Sequence, residues 1–234
     1  MKIENSVALV TGANRGIGLA FARELLARGA RKVYVGARDP AVVTLAGVQA
    51  LRLDVNNPQD VAAAAAAASD VTLVVNNAGI AQPGGFLAAD SEEVARRIFE
   101  TNFFAVLRMS KAFAPILKAN GGGALLNVLS IASWVNGGEL AAYSASKSAA
   151  WSLTNALRSE LSAQKTQVLA LHMGYVDTDL TRGLDAPKSS PELIVARALD
   201  GLESGADEVL ADDITLHVKQ GMTAARPIYL PQAA

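Results

Sequence analysis

The sequence predicts an α/β fold in which a doubly wound parallel sheet carries helices on both faces. Short β-branched runs alternate along the chain with longer segments of helical pattern, which is typical of parallel sheets. A glycine-rich turn separates the first such run from the first helical pattern. No linker or repeat interrupts this alternation, so we expect one domain spanning residues 1–234.

The elements follow in a regular order. Strands are predicted at 6–11, 32–37, 50–55, 71–75, 124–130, 167–172 and 208–211, and helices at 17–28, 57–68, 90–118, 143–163 and 190–203, with a short, poorly defined helix before the third strand. Asn57 and Pro58 form an N-cap and first helical position ahead of an alanine run, which favours helix. Pro115 predicts a bend or a late break in the long helix.

Composition excludes several classes of function. The net charge of −1 gives no support for a nucleic-acid partner. The absence of Cys excludes disulfides and thiolate metal sites, and two histidines are too few for a histidine-rich site. The N-terminus lacks an apolar signal segment, and the alanine run is far shorter than a membrane span. We therefore expect a cytoplasmic protein with no metal and no membrane partner.

Tyr143 and Lys147 stand four residues apart in a segment of helical pattern. This spacing places both side chains on one helix face, one turn apart. A phenol has a pKa of about 10, and a nearby ammonium favours the phenolate. The pair therefore indicates a tyrosine whose pKa is lowered enough to exchange protons near neutral pH. The same spacing also occurs in ordinary helices, where the tyrosine is half-buried and the lysine is solvated.

The turn from Thr11 to Gly18 reads T-G-A-N-R-G-I-G. Glycines let backbone N–H groups approach a pyrophosphate at a helix N-terminus. The spacing G-x-x-x-G-x-G differs from the commoner G-x-G-x-x-G, and a merely tight strand-to-helix connection is the alternative. Its position at the start of an alternating fold favours a Rossmann-like, dinucleotide-binding domain.

The end of the second predicted strand distinguishes NAD from NADP. An acidic residue there would bind the ribose 2′-hydroxyl of NAD, whereas Arg suits a 2′-phosphate. Arg38 occupies this place, Ala37 offers no carboxylate, and Arg15 adds a second cation from the glycine turn. We therefore expect NADP(H) to be preferred over NAD(H). Asp39 is the counter-argument, since it could turn inward, or it could simply pair with Arg38 at the surface.

These motifs resemble the NAD(P)-dependent short-chain dehydrogenase/reductase family in its single-domain form. The likeness extends from Val7 to about Leu180. Besides the glycine turn, it includes Asp54-Val55, Asn76-Asn77-Ala78-Gly79, Asn102, Ser130, and the Y-x-x-x-K pair of Tyr143 and Lys147. The resemblance implies reversible hydride transfer between the nicotinamide and a carbonyl or secondary alcohol.

The resemblance also implies a role for each matched residue. Ser130 would donate a hydrogen bond to the substrate carbonyl, and Tyr143 would deliver the proton. Lys147 would lower the pKa of the phenol and hold the nicotinamide ribose, while Asn102 would anchor a water. Taken alone, Asn102 is more typical of a buried amide that bonds a neighbouring backbone. The expected cofactor contacts are Gly12, Asn14, Arg15, Gly16, Ile17, Gly18, Arg38, Asp54, Val55, Asn77, Ala78, Gly79, Tyr143, Lys147, Val176 and Thr178.

The chain departs from the family pattern in two places. Met173 stands where the family usually has Pro before Gly174, so we expect a less rigid turn. The preceding His172 is interpreted as structural. Residues 205–234 have little counterpart in the family, many of whose members form tetramers through their last helix and strand. A homodimer or homotetramer is nevertheless expected.

The segments expected to surround the substrate are mostly apolar, which favours a neutral ketone or aldehyde. Their apolar residues are Phe86, Trp134, Val135, Leu140, Tyr175, Leu180 and Leu184. Two alternatives are an NAD-dependent alcohol dehydrogenase and a non-catalytic, NADP(H)-binding regulatory protein. The second alternative has no need of Ser130, Tyr143 and Lys147 together, so their joint presence argues against it.

Overall fold

Parallel strands form a single sheet in the order β3-β2-β1-β4-β5-β6-β7 within residues 1–230, which the computed structural model describes. The strands are β1 (Val7–Thr11), β2 (Lys32–Ala37), β3 (Gln49–Arg52), β4 (Leu73–Asn76), β5 (Gly123–Val128), β6 (Thr166–His172) and β7 (Glu208–Leu210). The predicted fold class is confirmed. Residues 231–234 of the predicted domain lie outside the described residues.

Helices cover both faces of this sheet. They are α1 (Gly16–Ala27), α2 (Pro58–Ala67), α3 (Ser91–Phe99), α4 (Ala105–Ala119), α5 (Ala141–Leu161), α6 (Pro191–Ser204) and α7 (Asp213–Gly221). The strand side chains alternate between two cores. In β1, Ala8 and Val10 pack with α1 and α6, whereas Val7 and Leu9 pack with α2, α4 and α5. Both faces are therefore closed to water, as a parallel sheet requires.

The chain reverses its direction of travel across the sheet between β3 and β4. The strand β4 pairs with β1 on the side opposite β2, so β1 and β4 flank a topological switch point. Ligands of doubly wound sheets bind in the crevice at the carboxyl ends of strands flanking such a point. The glycine turn follows β1, and Asn77 follows β4 at this crevice.

Three elements differ from the sequence prediction. The predicted helix over 90–118 is divided by a π-helical segment, Glu100–Phe104, whereas Pro115 lies inside α4 without ending it. The region before β3 forms only a single 3₁₀ turn, Pro40–Val42. The helix α7 was not predicted at all. Among residues 1–230, no helix is both long enough and apolar enough to cross a membrane.

Candidate active site

Tyr143 and Lys147 lie on α5 beside the carboxyl ends of β4 and β5. The Lys147 Nζ atom is 5.8 Å from the centre of the Tyr143 ring. The lysine side chain is buried, and its Nζ donates a hydrogen bond of 2.8 Å to the Val128 carbonyl oxygen. The helical spacing therefore brings the two side chains together as predicted, with the ammonium directed at the end of β5.

Burial dominates the electrostatics of this pair. It lowers the pKa of Lys147 to about 8, so the ammonium stays mostly charged at pH 7. Burial also raises the pKa of the Tyr143 phenol, and the nearby Tyr175 raises this pKa further. A hydrogen bond from the Ser130 side chain acts in the opposite direction and lowers it. The prediction of a Tyr143 pKa lowered toward neutral pH is therefore wrong, because the pKa is raised overall. The desolvation of the phenol is the largest cause of this rise and exceeds the opposing effect of Ser130.

Ser130 follows β5 and is buried. Its Oγ accepts a hydrogen bond of 3.1 Å from the Ala132 N–H and so begins the 3₁₀ turn Ile131–Ser133. Ser130 lies close enough to the Tyr143 phenol to lower the pKa of that phenol against the effect of burial. The side chains of Ser130 and Tyr143 are therefore neighbours at the end of β5.

Asn102 lies in the π-helical segment and is 1% exposed. Its amide donates to the Ile80 carbonyl and accepts from the Ile80 N–H, both at 2.9 Å, and donates to Ser146 Oγ at 3.0 Å. The side chain therefore ties the segment after β4 to α5. A Cβ added to Gly79 would lie 3.3 Å from Asn102 Oδ1 and 3.8 Å from Lys147 Nζ, which shows how tightly these groups pack.

The glycine turn leaves the N-terminus of α1 open to an anion. Gly12 and Gly16 have φ values of +63° and +55°, in the region that favours glycine. A Cβ on Gly18 would lie 2.5 Å from the Gly12 carbonyl oxygen, so that position excludes any side chain. No side chain caps α1 and its first turn holds no acidic residue, whereas α2, α6 and α7 have side-chain caps. The free N–H groups suit a phosphate.

Asn77 braces this turn from the neighbouring strand. Its Nδ2 donates to the carbonyl oxygens of Thr11 and Gly12 at 2.9 and 3.2 Å. The backbone N–H groups of Asn77 and Ala78 both donate to Thr11 Oγ1 at 3.0 Å. Thr11 is thus a positioning residue that the predicted set omitted, although it belongs to the recognised motif.

The two candidate 2′-phosphate cations differ in their partners. Asp39 accepts a hydrogen bond of 2.9 Å from the Ala41 N–H, so it caps a turn and neither points inward nor pairs with Arg38. Arg38 is exposed and has no ion-pair partner among residues 1–230. Arg15 forms an ion pair of 2.9 Å with Asp179, which the sequence did not reveal. Arg15, together with Arg182, lowers the pKa of Asp179.

The remaining predicted cofactor contacts lie at several separate places in the structure. Asp54 and Val55 follow β3, away from the Tyr143 cluster, and the Asp54 carboxylate accepts from the Asn56 N–H at 2.9 Å. Thr178 lies against the glycine turn, because a Cβ added to Gly16 would meet its Cγ2 at 3.4 Å. Val176 is buried in the core instead. Within the glycine turn, Asn14 is exposed and Ile17 packs against the core.

The turn after β6 is held by a residue that sequence reasoning missed. The buried carboxylate of Asp212 accepts from the Gly174 N–H at 2.8 Å and from the Thr215 N–H and Oγ1 at 2.9 and 2.5 Å. It therefore caps α7 and clamps the turn in which Met173 replaces the family's Pro. Residues 174 and 212 lie too far apart in the sequence for this contact to be read from a motif.

One of the expected substrate-facing residues is not available to a ligand. Trp134 is 8% exposed and stacks on His172, with ring centres 4.0 Å apart. Large exposed apolar side chains in the segments after β4 and β6 and on α7 include Phe86, Leu87, Tyr175, Leu180, Leu184 and Ile214. Among residues 1–230, no group of three or more His, Cys, Asp or Glu side chains could hold a metal ion.

Comparison with known proteins shows the family to which this chain belongs. Residues 6–189 match the family described as short chain dehydrogenase. The chain belongs to the short-chain dehydrogenase family. It is an oxidoreductase of that family, and its fold is one that binds NAD(P).

Individual relatives show how far this membership extends. The chain is 30% identical to the 3-oxoacyl-[acyl-carrier-protein] reductase FabG of Escherichia coli K12, over 95% of this chain and 99% of that protein. It is 35% identical to the galactitol 2-dehydrogenase (L-tagatose-forming) of Cereibacter sphaeroides, over 82% of this chain and 78% of that protein. A crystal structure of a short chain dehydrogenase from Burkholderia cenocepacia J2315 in complex with NADP superposes with a TM-score of 0.92 at 41% identity, covering 97% of this chain and 96% of that one.

Proposed function

We propose that the protein is an NADP(H)-dependent carbonyl reductase that acts on an apolar ketone or aldehyde. The observation that carries this proposal is the cluster of Ser130, Tyr143 and Lys147 at the end of β5, in which the serine and the lysine are buried and the tyrosine is half-buried. Burial raises the pKa of Tyr143, so its phenol holds a proton at pH 7. A protonated phenol beside a second hydroxyl is suited to carbonyl reduction, in which the substrate oxygen gains a proton.

Ser130, Tyr143 and Lys147 have different roles at the substrate oxygen. Bound NADPH would supply the hydride to the carbonyl carbon. Ser130 donates a hydrogen bond to the carbonyl oxygen, and Tyr143 transfers its proton to that oxygen as negative charge develops there. The phenolate that remains is stabilised by the Lys147 ammonium, which is still charged at pH 7 because its pKa is about 8. Asn102 positions α5 and the segment after β4 through its bonds to Ile80 and Ser146.

The observed cradle supports a dinucleotide with a 2′-phosphate. The uncapped N-terminus of α1 would hold the pyrophosphate, next to Gly12, Asn14, Gly16, Ile17 and Gly18. Arg38, which has no ion-pair partner within the described chain, would bind the 2′-phosphate together with Arg15. The Arg15–Asp179 pair is largely exposed, so water screens it and Arg15 can exchange this carboxylate for a phosphate. The other proposed contacts are Asp54, Val55, Asn77, Ala78, Gly79, Tyr143, Lys147, Val176 and Thr178.

The exposed apolar residues of the segments after β4 and β6 and of α7 support an apolar substrate. Phe86 and Leu87 follow β4, Tyr175 and Leu180 follow β6, and Ile214 on α7 reaches Gly174 in the turn after β6. Apolar side chains with a few convergent polar groups are typical of small-molecule sites. A neutral ketone or aldehyde matches this surface better than a charged substrate does.

The substitution Tyr143→Phe tests the catalytic assignment. We expect turnover of a panel of apolar ketones and aldehydes with NADPH to fall by at least about 10²-fold, because the proton donor is lost. The dissociation constant for NADPH, measured by the fluorescence of the bound nicotinamide, should stay nearly unchanged. Tyr229→Phe, which alters an exposed phenol, is the control. Retained turnover in Tyr143→Phe would remove Tyr143 from its proposed role.

The substitution Arg38→Ala tests the cofactor assignment. The wild-type protein should show a higher kcat/KM with NADPH than with NADH. In Arg38→Ala, kcat/KM for NADPH should fall by about 10- to 100-fold, because one charge-assisted hydrogen bond to the 2′-phosphate is lost. The value of kcat/KM for NADH should stay unchanged, because NADH has no 2′-phosphate. Arg31→Ala removes an exposed cation at the opposite end of β2 and is the matched control. A wild-type preference for NADH would contradict the assignment.

A further inference from the structure

His172 is a buried titratable residue to which the proposed mechanism gives no role. It ends β6 with 0% exposure, and its ring stacks on Trp134. Its Nδ1 lies 3.1 Å from the Ser130 carbonyl oxygen, and its Nε2 lies 3.5 Å from Glu208 Oε1. The ring therefore joins the end of β6 to the residue that carries the proposed substrate-binding hydroxyl.

Charged groups on three elements face this ring. Glu208 on β7 approaches Nε2, Lys219 on α7 pairs with Glu208, and Lys147 on α5 lies on the side of the active site. Burial is the main cause that lowers the pKa of His172 to about 4, and both lysines act in the same direction. The ring is neutral at pH 7, so only one of its nitrogens carries a proton.

The surroundings select which nitrogen that is. Both neighbouring groups are oxygen acceptors, but Lys219 already donates to Glu208 Oε1 at 3.0 Å and forms an ion pair of 2.9 Å with Oε2. The Ser130 carbonyl oxygen is the closer acceptor, and Nε2 has no hydrogen-bond partner among the described residues. The proton therefore belongs on Nδ1, where it is donated to Ser130.

We propose that His172 is a positioning residue for Ser130. Its Nδ1–H and the Ser133 N–H both donate to the Ser130 carbonyl oxygen, while the Ala132 N–H donates to the Ser130 hydroxyl. Together they fix the peptide from which that hydroxyl reaches the substrate. The inference rests on the proposed function of Ser130. It adds a side chain that acts through the serine backbone and touches neither substrate nor cofactor.

Two substitutions of His172 separate positioning from packing. His172→Asn keeps a side-chain N–H donor at about the position of Nδ1, whereas His172→Leu keeps comparable bulk but has no donor. We expect His172→Leu to lower kcat by about 10- to 100-fold with KM for NADPH unchanged, because a misplaced Ser130 acts only on the chemical step. His172→Asn should retain kcat within about threefold of the wild type. The control, His217→Asn, changes the exposed second histidine.

The result that overturns the proposal is equal kcat in the Leu and Asn variants, both measured on protein with a confirmed folded state. A direct measurement remains decisive even if His172→Leu does not fold. ¹⁵N NMR of the wild-type protein should show His172 as the Nδ1–H tautomer at pH 7, and His217→Asn assigns the signals because the chain has two histidines. An Nε2–H tautomer would overturn the proposal. This measurement needs no turnover, so its failure is distinct from that of the proposed reaction.

Discussion

Lys147 carries a charge in a place that water hardly reaches. Its side chain is buried, and its one hydrogen bond, among the described residues, goes to the Val128 carbonyl oxygen. Burial lowers its pKa from 10.5 to about 8. A shift of this size corresponds to about 3 kcal/mol of destabilisation of the charged form in the folded protein. The buried environment therefore destabilises the folded protein through Lys147, and the same environment brings the ammonium close to Tyr143.

The substitution Lys147→Met should separate these two effects. At pH 7 we expect the free energy of unfolding to rise by about 1–2 kcal/mol, since the buried charge is gone but Val128 loses its partner. Turnover should be lost. Urea unfolding measures the first effect, and Lys111→Met, on the exposed side of α4, should change stability by less than about 0.5 kcal/mol.

The stability difference between Lys147→Met and the wild type should depend on pH. The folded pKa is depressed, so the folded state releases the Lys147 proton before the unfolded chain does. The gain from Lys147→Met should therefore shrink as the pH rises above about 8, because wild-type Lys147 becomes neutral. A variant that is less stable than the wild type at pH 7 would show that the ammonium stabilises the fold.

The residues of the motifs were predictable from the sequence, but the directions of their side chains were not. The positions of Tyr143 and Lys147 on one helix face followed from helical periodicity. The raised pKa of Tyr143 did not, because it depends on how much water the folded chain excludes. The hydrogen bonds by which the Asn77 amide braces Thr11 and Gly12 were likewise not predictable from the motif.

At the scale of elements, α7 connects the end of the chain to the active site. Asp212 caps this helix and also binds the Gly174 N–H in the turn that leads to Thr178. In the family, a Pro usually fixes the turn at the position of Met173. Here the turn gains its rigidity from a carboxylate that lies after β7.

The substitution Asp212→Ala tests this clamp. We expect a loss of about 2 kcal/mol in the free energy of unfolding, because a helix cap and a buried hydrogen bond to Gly174 disappear. KM for NADPH should rise severalfold, since Thr178 would no longer be held against the glycine turn. Asp213→Ala removes the adjacent, exposed carboxylate and should leave both quantities nearly unchanged. Unchanged KM in Asp212→Ala would separate α7 from the cofactor site.

Element prediction succeeded where hydrophobic patterns were strong. All strands of the described chain were predicted, with β2 placed to the residue. The π-helical segment was missed because a change of hydrogen-bond spacing leaves no mark on composition. The helix α7 did carry a signal, the N-cap Asp212 ahead of Thr215 and Val218, which both face the interior. Its other apolar residues, Ile214 and Leu216, are exposed and blur the pattern.

At the scale of the whole molecule, acid should weaken the fold through His172. The ring is buried, and its pKa falls from 6.5 to about 4 in the folded state. Below pH 6.5 the unfolded chain binds this proton while the folded protein does not, so stability falls as the pH falls toward 4. The full contribution is about 3 kcal/mol.

Urea unfolding at pH 7 and at pH 4.5 measures this contribution. We expect the wild type to lose more stability than His172→Asn between these pH values, by about 2–3 kcal/mol. Other titrating groups, such as Asp179 with its lowered pKa, are common to both proteins and cancel in the comparison. An equal loss in both proteins would mean that His172 takes up a proton as readily in the fold as in the unfolded chain.

The global arrangement was largely predictable, and the long-range contacts were not. Alternation of strand and helix patterns is enough to indicate a doubly wound sheet. The Arg15–Asp179 pair, by contrast, joins residues 164 positions apart, and it exists only because the loop after β6 folds over the glycine turn. Contacts of this kind depend on loop paths, for which periodicity carries no information.

Ser130 and Lys147 are buried after β5 and on α5, whereas large apolar side chains of the segments after β4 and β6 are exposed. Phe86 is 51% exposed, Leu180 59% and Leu87 fully so, and such positions tolerate replacement at little cost in stability. An ancestor built this way could exchange one substrate for another through a few surface changes while its reactive centre stayed intact. The relatives named above, a reductase of acyl chains on a carrier protein and a dehydrogenase of a sugar alcohol, illustrate how widely such divergence can spread.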